Sequence, residues 1–168
     1  MKSYISKIKG LQEAKNTREE VRTSGGKVVF TNGCFDLLHP GHTRYLQLSR
    51  QLGDHLIVAV NSDRSVRAIK GPKRPVYEEQ VRAELVASLQ FVDTVVIFDE
   101  DNPFRVIEYL LPDILVKGGD WLEKDIIGSD VVRAAGGEVK TIAFVKGFST
   151  SGTIAKILAL CSQEAVRE

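Results

Sequence analysis

Apolar residues along the chain fall into two alternating patterns. Short runs rich in β-branched side chains recur at Lys27–Phe30, Leu56–Val60, Thr94–Phe98, Ile114–Val116 and Glu138–Ile142. Runs of this length predict parallel strands covered on both faces. Between them the spacing turns helical: Val81, Leu85 and Leu89 recur at i, i+4 and i+8, and Ile154, Ile157, Leu158 and Cys161 form a stripe near the carboxyl end. Such stripes predict amphipathic helices lying on a sheet. Five strands alternating with helices specify an α/β fold in a single domain: a doubly wound, Rossmann-like parallel sheet of about five strands with helices on both faces.

Local signals refine the picture. Asn102 before Pro103 reads as a helix cap followed by a first-turn proline, and Thr17 with Glu20 reads as a capping box. The latter opens a short helix within residues 1–26, an amino-terminal helical extension to the domain of residues 27–168. Ser62–Val76, with Gly71, Pro72, Pro75 and several basic residues, has the character of a linker. There is no internal repeat and no low-complexity segment.

Composition narrows the class of partner. Over 168 residues, 23 Lys and Arg face 22 Asp and Glu, a formal net charge of +1. A domain whose main partner is a nucleic-acid backbone usually carries a basic excess, so none is expected here, whereas a small anionic substrate is compatible. No apolar run approaches the ~20 residues that span a bilayer, and the amino terminus has no signal-peptide core. The two cysteines, Cys34 and Cys161, lie far apart in no paired spacing, which suits a reducing compartment. The chain is therefore expected in the cytoplasm, away from membranes. Apolar and aromatic residues around Phe91–Phe98 leave room for a homodimer interface.

In a doubly wound sheet, ligands bind beyond the carboxyl ends of the strands, where the strand order reverses. After the first run comes Thr31-Asn32-Gly33-Cys34-Phe35-Asp36-Leu37-Leu38-His39-Pro40-Gly41-His42, then a helical pattern to about Leu52. Pro40 suits a first helical turn, and Gly41 removes a side chain that would keep a ligand from the exposed N–H groups. His39 and His42, within one turn of each other, can flank an anion held at that helix start. A metal site of Cys34, His39 and His42 is the weaker reading, because a helix amino terminus repels cations and no fourth ligand is evident. Neither the Gly-x-Gly-x-x-Gly fingerprint nor the Walker A loop is present, which argues against a dinucleotide dehydrogenase or a P-loop enzyme.

Further polar clusters follow the other strands. Asn61-Ser62-Asp63 ends the second, where short polar side chains either bond a ligand or cap the loop. Lys70-Gly71-Pro72-Lys73-Arg74-Pro75 is either a solvated basic loop or a phosphate contact. Lys117-Gly118-Gly119-Asp120-Trp121 follows the fourth strand, and its glycines permit close backbone approach to a base or sugar. Ser149-Thr150-Ser151 precedes the last helix, as an N-cap or as an anion site.

The segment "GCFDLLHPGH" resembles the HxGH motif of the cytidylyltransferase-like nucleotidyltransferase superfamily. Within it, the chain is most similar to the bacterial D-glycero-β-D-manno-heptose-1-phosphate adenylyltransferases. "VNSDRSV" from Val60, "KGPKRP" from Lys70, "VKGGDW" from Val116 and "GFSTSGTIAKI" from Gly147 extend the resemblance over almost the whole chain. It implies that residues 27–168 form a nucleotidyltransferase domain making ADP-heptose from ATP and heptose 1-phosphate, with Mg²⁺ held mainly by the nucleotide phosphates. It assigns catalysis to His39, His42 and Lys70. Nucleotide contacts fall to Thr31, Asn32, Gly33, Cys34, Phe35, Gly41, Lys117, Gly118, Gly119, Asp120, Ser149, Thr150 and Ser151. Contacts to the acceptor fall to Asp36, Asn61, Asp63, Arg74 and Trp121, and no metal ligand is assigned. Some relatives carry a fused sugar kinase; the resemblance implies a stand-alone transferase here, supplied by a separate heptose kinase and phosphatase. Where relatives carry a second threonine and an aliphatic residue after the first Ser-Thr pair, this chain has Ser151 and Gly152. Alternatives are a transferase of the same fold using GTP, CTP or another acceptor such as glycerol 3-phosphate, and a non-catalytic nucleotide sensor.

Overall fold

The computed structural model describes residues 3–119, 122–143, 145 and 147–164. Five strands, β1 (Val28–Gly33), β2 (His55–Asn61), β3 (Thr94–Phe98), β4 (Ile114–Gly118) and β5 (Glu138–Ile142), form one sheet in the order β3-β2-β1-β4-β5. Every pairing is parallel. β1 and β4 run on past the expected ends, to Gly33 and Gly118. Their last residues carry the polar side chains of the site rather than core apolars.

The chain winds from β1 outward to β3, then returns to lay β4 on the other side of β1. The order reverses between β1 and β4, and in doubly wound sheets ligands bind beyond the carboxyl ends of the strands at that point. Alternation along β1 separates two cores. Val28 and Phe30 face α1 (Leu11–Thr23), α5 (Phe104–Leu110) and α6 (Ser129–Ala134), whereas Val29 faces α2 (Pro40–Arg50) and α4 (Glu79–Ala87). At the opposite rim, aspartates hold the chain as it enters the sheet. Asp54 accepts from Lys27 N (2.8 Å), Asp93 from Leu56 N (2.8 Å) and Asp113 from Val28 N (2.9 Å).

Several local expectations are corrected. Helix α1 starts at Leu11, where Glu13 Oε2 reaches back to accept from the N–H of the N-cap Gly10 at 3.1 Å; Thr17 lies inside it, its hydroxyl bonded back to Glu13 O at 3.0 Å. Ala14 of this helix belongs to the core, and Ile8 bridges Val95 in parallel beside the β3 edge. Of the Phe91–Phe98 apolars, Val92, Val95, Val96 and Phe98 are buried, while Phe91 and Ile97 keep partial exposure. The first half of Ser62–Val76 is a helix, α3 (Asp63–Lys70), capped by Ser62 Oγ.

In α4 the inward face is Arg82, Ala83, Val86 and Ala87, while Val81 and Leu85 stay 41% and 36% exposed. Two alanines let the helix approach the sheet closely, and that outweighs the larger apolar stripe. Helix α7 (Thr150–Glu164) also departs from expectation, since Ile157, Leu158 and Leu160 remain in solvent instead of covering the sheet. Helix α5 starts one residue later than expected, with Pro103 as its N-cap, and Asn102 Oδ1, one residue before the cap, accepts from Phe104 N at 3.0 Å.

Candidate active site

The residues after β1 make a turn with two left-handed positions that are not glycine, Phe35 (φ 48°) and Leu37 (φ 50°). Left-handed backbone is costly for residues with a Cβ and persists where the surroundings fix it. Here Asp36, between the two, supplies the fixing. Its buried carboxylate accepts from Arg74 Nε (2.7 Å), Val76 N (2.9 Å) and Tyr77 N (3.1 Å). Its carbonyl accepts from Thr150 Oγ1 at 2.7 Å. Burial alone would raise the Asp36 pKa; the two backbone N–H groups and the Arg74 guanidinium outweigh it and hold the carboxyl below its usual range.

This turn delivers His39 as the N-cap of α2, with Pro40 in the first helical turn. The rings of His39 and His42 stack at 3.8 Å between centroids, 16° from parallel. Phe35 meets His42 edge-on at 5.5 Å, and Phe148 lies beyond His39 at 6.4 Å. Both Nδ1 atoms are buried and have no hydrogen-bond partner among the described residues. Buried polar atoms without partners are rare, and at a helix amino terminus they invite an anion. Burial, with help from His39 and against the pull of Asp36, pushes the His42 pKa down to about 4; burial lowers that of His39 too. A Cβ at Gly41 would stand 3.0 Å from the His39 ring, tighter than an ordinary contact.

Lys117 stands near the carboxyl end of β4, beside β1. Its ammonium donates to Asn32 Oδ1 at 3.3 Å, and its pKa is lowered by burial, with Cys34 acting the other way. No carboxylate pairs with it among the described residues. Gly118 ends β4, and Gly119 (φ 111°) turns the chain away, its N–H bonded to Ile142 O at 2.9 Å. Lys70 ends α3, exposed, near enough to Cys34 to act on its thiol. Ser149 Oγ accepts from Gly152 N at 3.0 Å and caps α7, with Ser151 exposed beside it.

Not every residue assigned to a ligand faces one. Thr31 is fully buried and shares a hydrogen bond with the Tyr45 hydroxyl, which also reaches Val116 O. Phe35 and Asp36 are 4% and 1% exposed and frame the turn from within. Asn61, 3% exposed, spends its amide on Ser65 Oγ. Asp63 pairs with Arg82 at 2.8 Å. The side chains of these five are packed into the protein or bonded to it. Arg74 retains only the guanidinium nitrogens that Asp36 leaves free. Asp120 and Trp121 lie outside the described residues. Arg82, which no sequence motif singles out, is completely buried behind the glycine turn.

What gathers at the reversal point is thus a helix amino terminus, two unsatisfied imidazoles, a partly buried ammonium and a rim of further cations: a receptor for a polyanion. Among the described residues no cluster of His, Cys, Asp and Glu could hold a metal ion, and no helix is long and apolar enough to cross a membrane.

Bifunctional protein HldE of Citrifermentans bemidjiense is 55% identical over 158 residues, which is 94% of this chain and 32% of that protein. Bifunctional protein HldE of Pasteurella multocida is 52% identical over 148 residues, 88% of this chain and 31% of that protein. The chain therefore spans about a third of the length of these relatives. Among solved structures, a lipopolysaccharide core biosynthesis protein from Thermoplasma volcanium superposes with a TM-score of 0.59 at 30% identity, over 74% of this chain and 100% of that one. Pantothenate synthetase from Thermus thermophilus shares the fold at a TM-score of 0.53 and 16% identity, over 83% of this chain and 62% of that one. Residues 30–151, from β1 to the start of α7, match the cytidylyltransferase-like family, and the chain belongs to it.

Proposed function

We propose that this chain transfers the adenylyl group of ATP to D-glycero-β-D-manno-heptose 1-phosphate, giving ADP-heptose and pyrophosphate for lipopolysaccharide core or related glycan synthesis. The observation that carries the reading is the stacked His39–His42 pair with both Nδ1 atoms unsatisfied at the start of α2. Similarity to relatives named HldE and to a lipopolysaccharide core biosynthesis protein supports the choice of acceptor.

A phosphate oxygen of the sugar phosphate attacks the α-phosphorus of ATP. The bond from that phosphorus to the bridging oxygen breaks, and its electron pair leaves with pyrophosphate. The nucleophile is already an anion, so a strong general base is unnecessary, and the transfer is direct, without a covalent nucleotidyl intermediate on the protein. The protein's work is in-line positioning and neutralisation of charge. His39 and His42 hold the phosphate chain, with His42 closest to the developing charge. Lys117, Lys70 and the free part of the Arg74 guanidinium offset the rest, and Ser149 with Ser151 offers a second phosphate contact at the start of α7. Asn32, Gly33, Cys34, Gly41, Gly118 and Gly119 form the walls along which the nucleotide lies.

Magnesium enters as part of the substrate, on the triphosphate. Asp36 does not fit as its ligand, because both carboxylate oxygens are committed to the Arg74–Tyr77 segment. Two free cysteines suit a cytoplasmic setting. Upstream, the acceptor requires a kinase that phosphorylates the heptose and a phosphatase that leaves only the 1-phosphate.

The test is pyrophosphate release with heptose 1-phosphate and Mg²⁺ in parallel with ATP, GTP and CTP. Turnover is expected with ATP. Preference for another nucleotide, or for glycerol 3-phosphate as acceptor, reassigns the reaction within the fold, whereas nucleotide binding without turnover on any acceptor makes the chain a sensor.

A further inference from the structure

We infer that Arg82 is the positioning residue of this site, locking the histidine-bearing turn and the basic loop into one frame. The inference rests on the adenylyl-transfer reading above and adds a residue that touches neither substrate.

Arg82 sits on the inner face of α4 with none of its surface exposed. Its three nitrogens reach three separate segments: Nε donates to Tyr77 O (2.9 Å), one terminal nitrogen to Cys34 O (2.6 Å) and the other to Asp63 Oδ1 (2.8 Å). Asp63 is itself held by α4, its N–H donating to Glu79 Oε2 at 2.8 Å. A buried guanidinium is a poor way to gain stability, because its desolvation cancels much of the ion pair, and an apolar side chain of similar volume often does as well. What an apolar residue cannot do is gather acceptors from a turn, a loop and a helix start at fixed distances.

The placement of those acceptors gives the frame its purpose. Cys34 immediately precedes the left-handed Phe35, so its carbonyl is the hinge of the turn that aims His39 and His42. Tyr77 is clamped from both ends, its N–H on Asp36 and its carbonyl on Arg82. Asp36 also holds Arg74, three residues before Tyr77. Arg82 and Asp36 therefore close a ring: Arg82 to Cys34, along the turn to Asp36, to Tyr77, and back to Arg82. Lys70 and Arg74 ride on one side of the ring and the histidines on the other. Opening it frees both sides together, and a displacement of about 1 Å between reacting groups costs about 10²-fold in rate.

The experiment compares Arg82→Lys with Arg18→Lys. Arg18 is the matched control: it too is buried, at 3% exposure, but it bonds Leu111 O and Glu19 far along the fold from the turn. At a temperature where both variants are folded by circular dichroism, Arg82→Lys is expected to lower kcat by about 10²-fold while KM for ATP changes little. Arg18→Lys is expected to keep kcat at a similar loss of Tm. In the absence of any substrate, Cys34 should alkylate faster in Arg82→Lys than in the wild type or Arg18→Lys, because its carbonyl anchor is gone. Wild-type kcat together with unchanged Cys34 reactivity in folded Arg82→Lys overturns the inference, as does an equal loss of kcat in both variants. If Arg82→Lys fails to fold, Asp63→Asn, which removes the charge partner of Arg82, takes its place with the same two readouts. Should the wild-type chain transfer nothing to any sugar phosphate, the reaction reading fails, and alkylation of Cys34 still reports whether Arg82 holds the turn.

Discussion

The imidazoles of His39 and His42 lie face to face, 3.8 Å apart, with neither Nδ1 bonded to any of the described residues. Such an arrangement has no structural reward, because two buried nitrogens are desolvated for nothing until a ligand arrives. His42→Ala is therefore expected to lower kcat by about 10²-fold or more and to leave Tm at or above the wild-type value. Pyrophosphate release and a thermal melt on the same preparation check both halves.

The depressed His42 pKa, about 4 against an ordinary 6.5, has two consequences. The unfolded chain takes up the proton first as pH falls, so stability drops between about pH 6.5 and pH 4, by roughly 2–3 kcal/mol from this group. A bound triphosphate reverses the balance by favouring the imidazolium. Titration calorimetry of ATP near pH 6 in buffers of differing ionisation enthalpy should then show net proton uptake, absent in His42→Ala.

Asp36→Asn should destabilise the fold by about 3 kcal/mol, since it leaves Arg74 half-buried without its counter-charge, a loss of roughly 6–12 °C in Tm. The wild-type carboxylate, with its pKa below the ordinary value, contributes stability that is complete above that ordinary value. The contribution is lost as pH falls through the lower folded one. Acid melts of the two proteins should converge at low pH.

Gly41→Ala puts a methyl group 3.0 Å from the His39 ring and 3.4 Å from Phe148. The His39 ring must give by a few tenths of an ångström to admit it. A fall of about tenfold in kcat is expected, with little change in Tm, because the displaced groups are partly exposed.

Cys161 is exposed, whereas burial raises the pKa of Cys34 against the pull of Lys70, Arg82 and Arg74. Iodoacetamide at neutral pH should label Cys161 first and Cys34 slowly. Saturating ATP should slow Cys34 further and leave Cys161 unaffected, read by mass spectrometry of the two peptides.

The strands are readable in the sequence because a sheet covered on both faces writes itself as short β-branched runs. Thr94–Phe98 and Glu138–Ile142 match the structure residue for residue. The inward face of α4 is not, since Ala83 and Ala87 weigh little in a search for large apolars and Arg82 carries the letter of a solvated side chain. The histidine pair is legible as a motif next to a strand and a glycine turn. The commitments of Asp36 and Arg82 are hidden, because their partners lie 38 to 48 residues away, at Arg74 and Cys34. Spacing reports neighbours along a helix and is silent on such closures.

The aspartates that receive the chain at the start of the strands, Asp54, Asp93 and Asp113, stand at the opposite end of the sheet from the histidines. The strand entries are thus secured at the rim away from the chemistry. A homologue adapting to heat can rework that rim, through tighter strand entries or added ion pairs such as Arg50 with Asp93, and leave the geometry of phosphate transfer as it was.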